Sequence, residues 1–532
     1  MESNPELIRS LLEIISILKE ESDFYKKQAQ NYKDLINEQK GELGSLDFSS
    51  KKKDSKNYSS DKERMPDIPP NPRGRVEKKS NIKITRSLRC YYPRDNLPPD
   101  AQFKGLQRVI VQDLKIEVDN VELLIEVFYS PSTGKTYRAD HPPGYEREFG
   151  PRIRSLIFCL KNLGNMSESG IYNLFKTFGI FIGKSSISRI GLNDVKILEE
   201  DSDEILKTAI QYFDYLNIDD TGSNIFGTQH YSQILSNPFF TAYITLPSKN
   251  RLSILKTLLM GEGLHYLFNQ DAFDIMKMFN VPEKVCNNLY EKFLNQVISE
   301  KDLLLALDSI PTKNKNPDQL YRRIMEASGI AWYHTQDIVP IVKGFVSDDA
   351  PQFQNLALWH SLCWVHAGRP IKKLNPIIPI HIEEQEKALS NLWDYYRKLM
   401  QFKKKPENFI VEELREEFDS IFSKNTGYPA LDKILKSILA NKEKLLMVLK
   451  YPQIPLHNNE AELDARALVR KRDVSLHSRS SVGAKAVDIG LTITRTAKKI
   501  GVNTYEYVYD RFTENKMERL VKTMLRKSGI IA

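Results

Sequence analysis

Three acid-bearing stretches, far apart in the chain, are the residues best suited to chemistry. Leu456-His457-Asn458-Asn459-Glu460-Ala461-Glu462 opens a helical run that extends through Arg479. Asn458 or Asn459 can cap that helix, with two acids in its first turn. A helix advances about 100° per residue, so Asn458, Glu462, Arg466 and Arg470 share a polar stripe. Ala461, Ala465 and Leu468 form the opposite, apolar stripe. Glu460 and Glu462 point about 200° apart, so only one of them can face a given site. The wheel does not say which. Asp219-Asp220 ends one apolar run and Asp348-Asp349 another. Parallel neighbouring strands bring their ends together, and a helix across the sheet adds a third carboxylate. Asp219, Asp348 and Glu462 then form a hard-oxygen site suited to two Mg²⁺ or Mn²⁺ ions. Two such ions about 4 Å apart activate an attacking oxygen and stabilise a leaving oxygen on phosphate. Such a site requires no side-chain nucleophile. The chain has no P-loop lysine motif, no dinucleotide glycine fingerprint and no HExxH.

The elements that must position these acids can be read around them. Residues 212–219 read as a strand leading into Asp219. Residues 231–235 and 239–246 are further strands, broken by Ser236-Asn237-Pro238, and a helix follows at about 252–260. An Asp-bearing strand, two hairpin-linked strands and a helix is the opening order of a ribonuclease-H-like fold. Residues 339–347 read as a buried strand entering Asp348. Residues 261–336 and 370–450 read as helical insertions. The fold class expected is therefore α+β and multidomain, with a ribonuclease-H-like core at 206–480 and a C-terminal helical segment at 481–532.

Upstream of that core, residues 1–42 read as a coiled-coil helix, with Leu11, Leu18, Tyr25 and Tyr32 every seven residues. Residues 43–80, with Lys51-Lys52-Lys53 and Arg73-Gly74-Arg75, read as a basic flexible linker. Residues 81–150 read as a small β-rich module with strands at 108–114 and 121–129. Residues 151–205 read as a helical region resembling a helix-turn-helix. There Ser167 caps one helix, Phe178-Gly179-Ile180 turns the chain, and Arg189 sits on the helix opened by Ser185-Ser186.

Composition bounds the function without choosing it. The 532 residues are 41% hydrophobic and 27% charged, as in a globular protein with room for several domains. A net charge of +8 is compatible with nucleic acid. Cys90, Cys159, Cys286 and Cys363 form no CxxC pair and no disulfide framework, which fits a reducing cytosol. No signal peptide and no apolar run approaching a membrane span is visible, so no membrane partner is expected.

Taken together, these stretches resemble the DDE transposases of the insertion sequence 66 family. Ile218-Asp219-Asp220-Thr221-Gly222 resembles that family's Asp-Glu-Thr-Gly segment, and Ser347-Asp348-Asp349 its second Asp segment. The stretch Cys363-Trp364-Val365-His366-Ala367-Gly368-Arg369 resembles its Cys-Trp-x-His-x-x-Arg run. Asn458-Asn459-Glu460-Ala461-Glu462 resembles its Asn-Asn-x-Ala-Glu. The resemblance spans roughly residues 100–515. It departs at His457 and Leu463, where the family usually has Asp and Arg. It also departs at 81–150, where a cysteine-rich segment is reduced to Cys90.

The resemblance implies that Asp219, Asp348 and Glu462 are the catalytic, metal-holding acids, rather than Asp220, Asp349 and Glu460. It implies metal-dependent cleavage at element ends and strand transfer into target DNA, by a homodimer or higher oligomer. Accessory transposition proteins are left open as partners. DNA contacts are expected from Arg466, Arg470, Lys471, Arg472, Arg479 and Arg189, with Trp364 stacking on a base. Asn458, Asn459 and His366 are expected as supporting residues. The expected location is the cytoplasm, at the nucleoid when bound to DNA. Two rival readings share these residues. One is a decayed or repurposed transposase that binds ends without cutting, and the other is a metal-dependent structure-specific nuclease.

Overall fold

The structure is a computed structural model that describes residues 82–308 and 317–531. The expected coiled coil and basic linker lie outside the described residues. The chain divides into two compact units, Met1–Ile110 and Val111–Ala532. In the first, residues 82–110 carry a single 3-10 turn, Arg94–Asn96, and are almost entirely exposed.

The second unit begins with less sheet than its composition suggests. A hairpin forms from β1, Val127–Ser130, and β2, Lys135–Arg138, but the expected strand at 108–114 is absent. Its side chains meet no partner strand and no apolar layer. Val111 is 81% exposed and Leu114 78%. Strand propensity is realised only where a neighbouring strand or packed face exists.

Four helices follow: α1 Pro151–Asn162, α2 Glu168–Thr177, α3 Lys184–Asn193 and α4 Glu199–Tyr212. Ser167 caps α2 as expected, its side chain accepting from the Gly170 amide. Helices α1 to α3 share a small core of Ile157, Ile171, Phe175, Ile182, Ile187 and Ile190.

The centre is a five-stranded mixed sheet in the order β5-β4-β3-β8-β9. Its strands are β3 Leu216–Ile225, β4 Thr228–Ser236, β5 Thr241–Leu246, β8 Gly344–Ser347 and β9 Trp359–Leu362. The first three are antiparallel, while β3 pairs β8, and β8 pairs β9, in parallel. Strand β3 begins later than its composition suggests, because Tyr212 ends α4.

Two helical insertions interrupt the sheet. Between β5 and β8 come α5 Arg251–Leu258, α6 Gln270–Met278, α7 Glu283–Phe293, α8 Glu300–Asp308 and α9 Pro317–Thr335, with a small ribbon of β6, Tyr266–Leu267, and β7, Val297–Ile298. These helices share the main apolar core with the sheet. After β9 come α10 Trp364–Lys372, α11 Pro379–Lys404, α12 Val411–Phe422 and α13 Pro429–Ala440. They surround a second core. The chain then returns to the sheet as α14 Asn459–Ser475 and α15 Ser481–Ile500, followed by α16 Thr504–Phe512 and α17 Leu520–Lys527. No described helix is long and apolar enough to cross a membrane.

Candidate active site

Sheet register brings the first two acids together. In the parallel pair, Asn217 is level with Val346. Asp219 and Asp348 each lie two residues further on, Asp219 within β3, which runs past it to Ile225 rather than ending there, and Asp348 just past the carboxyl end of β8. Ligand sites in sheets with parallel strands gather at that end. Asp219 lies opposite Ile234, and Ile234 packs with Ala461, Ala465 and Leu468 of α14. The apolar stripe read from the sequence is thus the one that docks α14 on the sheet, over the face that carries Asp219. Period-2 alternation turns Asp220 the other way, where it accepts from Gln352 Nε2 at 2.7 Å and lies 3.9 Å from Lys249 Nζ.

The third acid is placed by a helix start that does not cap itself in the usual way. Asn458 occupies the N-cap position, but its side chain makes no cap hydrogen bond. It is 1% exposed, and its Nδ2 donates to the Ile218 carbonyl at 2.9 Å. Its Oδ1 accepts from Asn217 Nδ2 at 2.9 Å, and its amide donates to Cys363 Sγ at 3.3 Å. The buried Asn458 side chain therefore ties the start of α14 to β3 at the residue before Asp219, and its backbone amide ties it to Cys363, just after β9. The Glu462 amide donates to the Asn458 carbonyl one turn later. Asn459 is half-buried, with its amide donating to His457 Nδ1 at 3.4 Å.

Asp219 lies within reach of the charges of the other two acids. Burial pushes the Asp219 carboxyl up to about 7, and the charges of Asp348, Glu462 and Asp220 push the same way. A hydrogen bond from the Asp220 amide to Asp219 Oδ1, at 2.8 Å, opposes the rise. Glu462 lies 3.2 Å from Arg369 Nη2, 3.6 Å from His366 Nδ1 and 3.8 Å from Arg466 Nη2. Arg369 also contacts His366 Nε2. Glu460 points elsewhere, to Lys499 Nζ at 3.1 Å, as the helical wheel requires. Asp349 accepts from Asn441 and Gln354 at the surface. The Asp348 and Glu462 charges bear on Asp219, while Asp220, Asp349 and Glu460 have partners of their own.

The donor set fits divalent metal. Three carboxylates offer hard oxygens, and Glu462 Oε1 is buried without a hydrogen-bond partner. Cys363, His366 and Glu462 also place one ligand atom each within 4.8 Å of one another. Burial raises the Cys363 thiol, however, and its sulfur already accepts the Asn458 amide.

Two expected DNA contacts are corrected. Trp364 is fully buried, donates Nε1–H to the Leu445 carbonyl at 3.0 Å, and packs against Tyr395, Phe418 and Phe422. It anchors the second insertion and cannot stack on a base from that position. Lys471 is 5% exposed and donates to the Lys161 carbonyl and to Asn162 Oδ1. Burial brings its ammonium down to about 7. Arg466, Arg470 and Arg479 are exposed along α14 and beyond it. Arg472 donates to the Gly222 carbonyl. Arg189 is exposed on α3, beside Ser186.

A buried ion cluster behind the acids was not anticipated. Asp464 is 1% exposed and accepts from Thr241 Oγ1 at 2.7 Å, Arg495 Nη2 at 2.6 Å and Lys499 Nζ at 2.8 Å. The sequence held a signal for it. Asp464 and Lys471 lie three residues after Ala461 and Leu468, on the apolar stripe. A charge on a buried stripe must find partners.

Comparison with known proteins gives first a class and then a family. Residues 332–486 match the family described as "Transposase IS66 family", a stretch that holds Asp348, Cys363, His366, Arg369 and Glu462. A Sinorhizobium fredii (strain NBRC 101917 / NGR234) protein named "Uncharacterized protein y4jO" is 34% identical over 305 residues, covering 56% of this chain and 91% of that protein. The match places the chain among DNA-processing enzymes. More particularly, it belongs to the insertion sequence 66 family of transposases.

Proposed function

We propose that the protein is a DDE-type transposase that cuts DNA at the ends of its element and joins those ends to a target. The observation that carries this reading is the raised pKa of Asp219, caused first by burial and reinforced by the charges of Asp348 and Glu462. The strand order, three antiparallel strands followed by two parallel ones, supports reading the sheet as a ribonuclease-H-like core.

In this mechanism Asp219, Asp348 and Glu462 would hold two Mg²⁺ or Mn²⁺ ions, which would supply Lewis-acid charge that favours ionised oxygen nucleophiles and stabilises the leaving oxygen. Asn458 fixes Glu462 relative to Asp219. A water oxygen attacks phosphorus at the element end, the P–O3′ bond breaks, and a 3′-hydroxyl is released. That hydroxyl then attacks a target phosphate and displaces a target 3′-oxygen. Arg466, Arg470, Arg472 and Arg479 form the basic run that follows the backbone, and the α1–α3 region with Arg189 binds terminal repeats. Two ends must be held together, so the working form is a homodimer or larger, at the nucleoid.

The test is cleavage and joining of labelled DNA that carries the flanking inverted repeats, in Mg²⁺ or Mn²⁺. Wild type is compared with Glu462→Ala and Glu460→Ala. Metal-dependent nicking and joining, abolished by Glu462→Ala and retained by Glu460→Ala, is expected. Nicking without joining would favour a nuclease. Tight end binding with no cleavage in either metal would favour a binding-only protein.

A further inference from the structure

We infer that Arg369 is a phosphate-binding residue, held in the DNA-free protein as the counter-charge of Glu462 and passed to a DNA backbone phosphate at the site. This rests on the metal-dependent reading above and extends it to a residue with no role there.

The geometry that carries the inference is a charge exchange in waiting. Arg369 stands on the second turn of α10, which begins directly after β9. Its Nη2 is 3.2 Å from Glu462 Oε2, and its other terminal nitrogen contacts His366 Nε2. His366 Nδ1 in turn faces Glu462 Oε1 at 3.6 Å. The Glu462 side chain is 14% exposed, while Arg369 is 43% exposed. The carboxylate is therefore enclosed and the guanidinium open to solvent, so only the guanidinium is free to swing outward.

Glu462 cannot be shared for long. A carboxylate that binds a divalent ion beside an arginine places two positive charges within a few ångströms of each other. Screening is weak there, because Glu462 is nearly buried. Cation binding thus loosens the Arg369–Glu462 pair. The released guanidinium is a planar fork of donors that matches two phosphate oxygens. The chemistry that brings metal into the site also brings a phosphate. Arg466, at 3.8 Å on the same carboxylate and 47% exposed, is the second member of the clamp.

This inference predicts opposite signs for two measurements on one variant, which a merely structural arginine would not give. Mn²⁺ binding to the full-length, DNA-free protein is followed by electron paramagnetic resonance of free Mn²⁺. Arg369→Gln is expected to bind Mn²⁺ about 3- to 10-fold tighter than wild type, because a partly exposed counter-charge is removed. Binding of a labelled duplex carrying the flanking inverted repeat is then measured in Ca²⁺ across a salt series. Arg369→Gln is expected to weaken binding and to make the log–log salt slope shallower by about 0.9, the loss of one phosphate contact. Arg369→Lys should retain the slope, since it keeps the charge.

Asp219→Asn separates this idea from the reading beneath it. If wild type shows no Mn²⁺ binding that Asp219→Asn removes, the metal site itself fails and the inference falls with it. If that binding is present but Arg369→Gln weakens both Mn²⁺ and DNA, the inference alone is overturned. An unchanged salt slope would overturn it as well. Should Arg369→Gln melt early by circular dichroism, Arg466→Gln carries the same two measurements.

Discussion

Replacing Asp219 by Asn should stabilise the metal-free protein, and only above a definite pH. Asn keeps an oxygen to accept the Asp220 amide hydrogen bond and removes the charge. The Asp219 carboxyl is pushed from 3.8 to about 7, first by burial and then by Asp348 and Glu462. An acid whose folded pKa lies above its unfolded value binds more protons folded than unfolded. Its contribution to stability is therefore fully present below pH 4 and is lost as pH rises to about 7. A rise of about three pK units corresponds to at most about 4 kcal/mol, at 1.36 kcal/mol per unit. Relaxation around the charged carboxylate reduces this, so about 2 to 4 kcal/mol is the expected gain for Asp219→Asn at pH 8. The assay is urea unfolding in a chelator at several pH values from 4.5 to 8.5, comparing midpoints at equal m. The gap between the two proteins should open with rising pH and close toward pH 4. Excess Mn²⁺ should raise the wild type at pH 8 and leave the variant where it was. A gap that is constant with pH, or a variant less stable at pH 8, would refute the reasoning.

Three further outcomes follow from the same geometry. Asp464→Ala strands the charges of Arg495 and Lys499 and should cost about 3 to 5 kcal/mol in urea unfolding. The coupling should shrink in an Arg495→Met background. Trp364→Ala should lower stability by about 3 to 5 kcal/mol while leaving the salt slope for DNA binding unchanged, because the ring is buried in the second core. Arg470→Gln should make that slope shallower by about 0.9, whereas Lys471→Met should leave it alone, since only Arg470 is exposed.

Local pattern made much of this fold legible. The stripe through Ala461, Ala465 and Leu468 and the Ser167 cap both reappear in the structure, because each depends on a short period in the chain. The separation of Glu460 from Glu462 was legible for the same reason, and their partners follow it. Choosing between them needed the family pattern, since a wheel assigns opposite directions and no destination. What failed depended on tertiary partners. Trp364 and Lys471 look available for DNA because nothing in their local sequence says that a second core or the end of α1 will cover them. Residues 108–114 look like a strand because composition cannot report a missing neighbour. The use of Asn458 as a cross-sheet clamp instead of a cap is of the same kind.

The cluster around Asp464 also bears on synthesis. The helix that carries Glu462 is held on the sheet partly through Arg495 and Lys499, which leave the ribosome some 280 residues after Asp219. At translation rates of about 5 to 20 residues per second, roughly 15 to 55 s separate the two. During that interval the nascent chain carries its first acid, and later its second, without the brace that seats the third. A chain broken off before Arg495 inherits the same defect, so incomplete translation products lack a fully braced acid site.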